Sequence, residues 1–181
     1  MNFIETIIDS RPFIIAEIVN NHNGSRDRAL KMSKLAADAG ADCVKFQIRN
    51  MKEVYREASL AESDNDLGTE YILDLLEKFE LSLEDHIKIK NYCETKLNVY
   101  YLCTPWDISS ARFLNEIGVK GFKVSSADLT NMHLLRELVS FKKPLIISTG
   151  MSSTAEIKHT IKFLQSEDVT YVLLHCSSTY P

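Results

Sequence analysis

Short apolar runs recur along this chain, and apolar residues at three- and four-residue spacing fill the stretches between them. The first run covers residues 13–17, behind Pro12. Turn-forming residues follow from Asn20 to Ser25, and Ala29, Met32, Ala36 and Ala39 then repeat at helical spacing up to Gly40. Residues 43–47 form a second run. Residues 48–81 are more polar, with a helical stretch predicted around 70–79. The alternation then tightens. Ser82 with Asp85 marks a helix start, and Ile87 and Ile89 carry that helix to about Lys96. Strand patterns at 99–103, 121–124, 144–148 and 169–175 alternate with three further helices. Ala111, Leu114 and Ile117 define the first, closed by Gly118, and Leu134, Leu135 and Leu138 the second. Ile157, Ile161 and Leu164 define the third, behind a Ser153/Glu156 capping box.

Six apolar strands alternating with helices predict an α/β protein with a parallel sheet, because strands covered on both faces read as nearly unbroken apolar runs. A doubly wound sheet and a (β/α)8 barrel share that pattern. No Gly-x-Gly-x-x-Gly follows the first strand, and no Walker phosphate loop is present. Polar residues gather at the C-terminal ends of nearly all the strands, which is where a barrel builds its site. A doubly wound sheet would use only the crevice at its switch point. The expectation is therefore a TIM-type (β/α)8 barrel, of which residues 1–181 supply about the first six β/α units.

Composition narrows the classes. The 181 residues are 45% hydrophobic and 25% charged, too apolar for a disordered chain. A net charge of −4 offers no basic field for nucleic acid. No apolar run nears the roughly 20 residues of a membrane span. Residues 1–11 lack the cationic start and apolar stretch of a signal peptide. Cys43, Cys93, Cys103 and Cys176 form no C-x-x-C pair. They read as reduced thiols of a cytoplasmic protein, with Cys43, Cys103 and Cys176 inert in the core. Asn23-Gly24-Ser25 matches a glycosylation acceptor but reads as a turn without secretion.

The strand ends carry the candidate chemistry. Glu17 closes the first strand and runs into Asn20-Asn21-His22-Asn23-Gly24. Lys45 and Gln47 lie on the second, and Thr104-Pro105-Trp106-Asp107 ends the third. Lys123, Ser125, Ser126 and Asp128 follow the fourth, Ser148-Thr149-Gly150-Met151 the fifth, and residues 175–181 the sixth. A lysine inside an apolar strand is costly without a partner. Lys45 and Lys123 therefore call for a carboxylate, Glu17 or Asp128, or for an anionic ligand. Thr104, Ser126 and Ser148 add hydroxyl donors, and Gly150 allows close backbone approach. Together they suit a small dianion such as a phosphate-bearing ligand. Taken singly, each has a plainer reading: His175 as a core histidine, Tyr100, Tyr101 and Trp106 as packing, the hydroxyls as caps and turns. Glu17, as a carboxylate ending an apolar strand, is expected to need Lys45 to offset its desolvation.

In order and spacing these segments resemble the sialic acid synthase family. Ile15-Ala16-Glu17-Ile18 with Asn21-His22-Asn23-Gly24 is similar to its first barrel strand, and Gly40-Ala41-Asp42-Cys43-Val44-Lys45-Phe46-Gln47 to its second. Cys103-Thr104-Pro105-Trp106-Asp107, Phe122-Lys123-Val124-Ser125-Ser126-Ala127-Asp128, Ser148-Thr149-Gly150-Met151 and Leu174-His175-Cys176-Ser177-Ser178-Thr179-Tyr180-Pro181 follow in family order. The resemblance implies condensation of phosphoenolpyruvate with N-acetylmannosamine or a related hexosamine, giving a nine-carbon 2-keto acid and phosphate. It implies Lys45, Thr104, Lys123, Ser126, Ser148 and Ser178 around phosphoenolpyruvate, and Glu17, Gln47 and Tyr180 around the sugar. Glu17, Lys45 and Lys123 would be the catalytic groups. His22, in the first mouth loop, and Asp128 would join the substrate-binding set. Asp128 stands where many members carry Glu, and Ser178 where some carry Asn; each substitution shortens the side chain.

The resemblance further implies a divalent metal, manganese or magnesium, whose histidine ligands lie beyond residue 181. It also implies a C-terminal antifreeze-like domain that reaches across a homodimer. A closed barrel needs eight strands and roughly 250 residues, so residues 1–181 read as the N-terminal part of a synthase barrel, inactive alone. Two other readings stay open. One is a Schiff-base aldolase on the same barrel with Lys123 as nucleophile. The other is a non-catalytic binding or assembly fragment.

Overall fold

Each of the six apolar runs becomes a strand: β1 Ile15–Glu17, β2 Cys43–Ile48, β3 Tyr100–Pro105, β4 Phe122–Val124, β5 Leu145–Ser148 and β6 Tyr171–Leu174. They belong to a computed structural model that describes residues 3, 7, 11–55 and 75–178. The predicted helical stretch is described only from residue 75, where 75–78 are helical, and Tyr180 lies outside the described residues. The helices are α1 Arg26–Asp38, α2 Met51–Val54, α3 Leu83–Tyr92, α4 Ile108–Glu116, α5 Met132–Ser140 and α6 Thr154–Ser166. The strands make two three-stranded sheets, ordered β1-β2-β3 and β4-β5-β6. β1 runs parallel to β2 with Glu17 opposite Lys45, and β5 runs parallel to both β4 and β6. The chain divides into two compact units, Ile14–Tyr101 on one hand and Met1–Phe13 with Leu102–Pro181 on the other.

In the first unit, Ser25 caps α1 by accepting the Arg28 N–H, and Gly40 ends it at φ 92°. Ser82 caps α3 by accepting the Asp85 N–H. That helix differs from the expected one in two ways. Ile87 and Ile89 are two residues apart and cannot share a face of a 3.6-residue turn. Ile89 is fully buried while Ile87 is 38% exposed. The α-helical geometry also stops at Tyr92, and a π-helical turn, Cys93–Leu97, completes the element before Asn98 reverses the chain at φ 53°. β1 leaves its edge in a strained way. The Lys45 carbonyl accepts from both Ile18 N–H (2.9 Å) and Val19 N–H (3.2 Å), and Val19 is held at φ 48°. A β-branched residue rarely adopts that left-handed conformation.

His86 of α3 and the strand residues Phe46 and Tyr101 form the core of this unit. Phe46 stacks on Tyr101 at 5.5 Å, and His86 Nδ1 lies 2.6 Å from the Tyr101 hydroxyl. Burial lowers the His86 pKa to about 4, with help from the neighbouring His22 and against Asp85. Burial also lowers the His22 pKa. The sign follows: below pH 6.5 the unfolded chain takes up a proton that folded His86 refuses until about pH 4. Stability should therefore fall as the pH drops through that window. The urea midpoint is expected to be lower at pH 5 than at pH 7, with a smaller difference in His86→Gln. An equal difference in the variant would assign the effect elsewhere.

In the second unit, caps place each helix start. Asp107 accepts the Ser110 N–H and both the Ser109 and Ser110 hydroxyls, so this strand-end carboxylate opens α4. Asn131 caps α5, and Ser153 with Glu156 forms the expected capping box before α6. The run at 169–175 yields a shorter strand than predicted, because Val169 N–H turns back to the Leu164 carbonyl and closes α6. The sheet ends at Leu174. His175 beyond it is exposed rather than a core histidine, and Cys176 is only half-buried. Cys43, Cys93 and Cys103 are buried as expected. Leu102, Phe122, Leu134, Leu135, Leu138, Leu145 and Ile147 are fully or almost fully buried around β4 and β5 or on the elements beside them.

Candidate functional site

The first unit brings together Glu17, Lys45 and Gln47. Their strands are parallel and in register, so Glu17 at the end of β1 lies directly opposite Lys45. Lys45 Nζ is 2.9 Å from Glu17 Oε2. The Lys45 side chain is 6% exposed and that of Glu17 54%. This corrects the expectation for Glu17: the end of β1 opens to solvent, and the desolvation cost falls on the lysine. The pairing itself is as expected. Alternate residues of a strand share a face, so Lys45 and Gln47 lie on one side of β2, and Arg49 follows one residue past its end. Arg49 Nη2 donates to Gln47 Oε1 at 2.7 Å. Glu80 meets Arg49 through its backbone N–H (3.2 Å) and lies 3.8 Å from its Nε. Arg49 was not among the candidates read from the sequence.

His22 is 2% exposed. Its Nδ1 accepts the Gly24 N–H at 3.1 Å. Gly24 sits at φ 72°, and a Cβ there would lie 2.7 Å from the Lys78 carbonyl. The histidine thus pins a loop that only glycine can complete.

The second unit gathers Lys123, Ser126, Ser148, Gly150, Cys176 and Ser178 at the ends of β4 and β5 and just past β6. Lys123 is 6% exposed, and its Nζ donates to the Val124 carbonyl (2.5 Å) and the Ser148 hydroxyl (2.6 Å). Ser126 Oγ accepts the Gly150 N–H at 3.1 Å and lies 3.6 Å from Cys176 Sγ. A Cβ on Gly150 would stand 2.8 Å from Ser178 Oγ and 3.0 Å from the Cys176 carbonyl, so the absence of a side chain lets the three segments close. Burial raises the Cys176 thiol, but hydrogen bonds from Ser126, Ser148 and the Thr149 and Gly150 backbone outweigh it, and the pKa ends below its usual value. A cation, several hydroxyls and a backbone N–H converging here suit an anion. Asp128, 8% exposed, accepts from the Ser125 hydroxyl (2.6 Å) and Asn131 Nδ2 (3.1 Å), which places its carboxylate in the turn that starts α5. Thr104 is buried on β3.

Among the described residues, no three His, Cys, Asp or Glu side chains come together to hold a metal ion. No helix among them is long and apolar enough to cross a membrane.

The profile of the NeuB family matches residues 32–181. The chain is 35% identical over 179 residues to an N,N'-diacetyllegionaminic acid synthase of Campylobacter jejuni, covering 94% of this chain and 53% of that protein. It is 33% identical over 179 residues to an N-acetylneuraminate-9-phosphate synthase of Drosophila melanogaster, covering 97% and 47%. The crystal structure of a sialic acid synthetase from Leptospira borgpetersenii, in complex with citrate, superposes with a TM-score of 0.82 at 32% identity, covering 93% of this chain and 55% of that one. The chain thus spans about half the length of these relatives. Its parallel β/α units are those of the TIM-type barrel, and by sequence and by fold this chain belongs to the NeuB family of sialic-acid-type synthases.

Proposed function

We propose that residues 1–181 form the N-terminal part of a cytoplasmic, homodimeric synthase that condenses phosphoenolpyruvate with N-acetylmannosamine or a related hexosamine. The product is a nine-carbon 2-keto sugar acid, and one water is consumed as phosphate is released. The observation that carries this reading is the buried Lys123 with its Ser148 and Val124 contacts, set beside Ser126, Gly150 and Ser178. These donors suit the phosphate and carboxylate of phosphoenolpyruvate and the charge that moves between them during reaction. Lys45 and Thr104 keep the phosphoenolpyruvate roles that the resemblance implies. Glu17, Gln47 and Tyr180 keep the sugar.

In this reading the enol carbon attacks the open-chain aldehyde, water adds to the resulting cationic C2, and the tetrahedral intermediate expels phosphate. Glu17 either orients a sugar hydroxyl or accepts its proton. A manganese or magnesium ion, held by residues outside 1–181, would polarise the aldehyde when bound. The Schiff-base alternative, with Lys123 as nucleophile, predicts a covalent pyruvate adduct on that lysine instead.

The test is direct. Full-length enzyme supplied with divalent metal and phosphoenolpyruvate should release phosphate only when the hexosamine is present, one phosphate per sugar acid formed. Phosphate release without sugar, or a borohydride-trapped pyruvate adduct on Lys123, would overturn the reading.

A further inference from the structure

We propose that Arg49 is a positioning residue for the sugar, acting by fixing the side-chain amide of Gln47. The inference rests on the synthase reading above and extends it to a residue that the family resemblance did not bring in.

The geometry is specific. Arg49 follows the end of β2 and its side chain reaches back to that of Gln47. Its guanidinium carries donors only, so the group of Gln47 that faces Nη2 at 2.7 Å must be the carbonyl oxygen, not the NH2. The orientation of that amide is therefore determined by chemistry. Gln47 meets a ligand chiefly as a donor, through Nε2, and a sugar hydroxyl or an acetamido carbonyl is the matching acceptor. Glu80 completes the arrangement. It accepts the Arg49 backbone N–H, which holds the arginine by its chain, and its carboxylate lies 3.8 Å from Arg49 Nε, an ion pair without a hydrogen bond at that atom. The Arg49 side chain is 5% exposed. Glu80 also balances its charge. The unit therefore contributes direction rather than a field, and it should act on a neutral hydroxylated ligand more than on phosphoenolpyruvate.

The test uses full-length synthase with divalent metal, phosphoenolpyruvate and N-acetylmannosamine. In Arg49→Met the KM for the sugar should rise about tenfold or more while the KM for phosphoenolpyruvate stays within about twofold. Arg49→Lys, which keeps a donor for Gln47 Oε1, should recover part of that loss. Gln47→Ala should raise the sugar KM similarly, and the double variant Arg49→Met with Gln47→Ala should be no worse than Gln47→Ala alone. A thermal melt accompanies each variant. A sugar KM unchanged in Arg49→Met overturns the inference, as do equal rises in both KM values or additive losses in the double variant. If the parent itself fails to condense the two substrates, the synthase reading falls, and this inference with it. A parent that condenses beside an indifferent Arg49→Met removes the inference alone.

Discussion

Glu17→Gln in the full-length synthase should lose the condensation, with kcat falling about a thousandfold. Its equilibrium affinity for phosphoenolpyruvate should be retained or tightened, because the variant carboxamide no longer competes as a counter-ion for Lys45. Glu17 is half-exposed at the end of β1, so its isostere fits there, while buried Lys45 loses its counter-charge and a melt should show a modest loss of stability with the fold retained. Before substrate binds, its carboxylate pairs with buried Lys45 across the parallel register. In the proposed cycle phosphoenolpyruvate takes that lysine first. Glu17 is then released to accept a hydrogen bond, or a proton, from the sugar. Glutamine can still accept a hydrogen bond but can neither carry the charge nor store the proton. The measurement is equilibrium binding of phosphoenolpyruvate beside single-turnover condensation. A variant that condenses at the parent's rate would make Glu17 a structural counter-ion only.

Lys123→Met should lower kcat/KM for phosphoenolpyruvate by about 10²–10³-fold. The methylene stem already lies among buried neighbours of β4, and methionine matches it in length and flexibility. What is lost is the ammonium and its two contacts, to Val124 and Ser148. The uncovered carbonyl and hydroxyl should reduce stability by about 1–3 kcal/mol. A melting control separates that loss from catalysis. The loss should fall on phosphoenolpyruvate, with the sugar KM little changed. Normal kinetics in a folded Lys123→Met would remove this lysine from the anion site.

Strands β2 to β5 were legible because both of their faces are covered, and β1 and β6, less buried, by their apolar residues alone. Residues 145–147 are wholly apolar and 43–48 are broken only by Lys45 and Gln47, runs whose shortness and flanking turn residues fit buried strands. Helix starts were legible where a side chain announces the cap, as at Ser82 and Ser153. The two strand lysines stood out for the opposite reason, as charges where charges are costly. What escaped the sequence depends on neighbours distant along the chain. Glu17 looks identical in sequence whether its end of β1 is covered or open. His175 was placed in the core by the apolar run before it, yet the sheet stops one residue earlier. Arg49 sits in a polar stretch, and only its contact with Glu80, thirty-one residues on, separates it from a solvated arginine. The π-helical turn after Tyr92 has no residue signature at all; it absorbs an extra residue through hydrogen-bond geometry.

Val19 gives the first loop a second character. A β-branched residue in the left-handed region forgoes about 1–2 kcal/mol that glycine would recover. The neighbours of that residue are Glu17, two positions before it, and His22, in the loop that follows. Selection for heat resistance would reach for Val19→Gly early, since it relieves strain without disturbing the core. The same exchange would widen the conformations open to the end of β1, where the carboxylate must be aimed. On the proposed role of Glu17, stability at this position is set against the aim of that carboxylate.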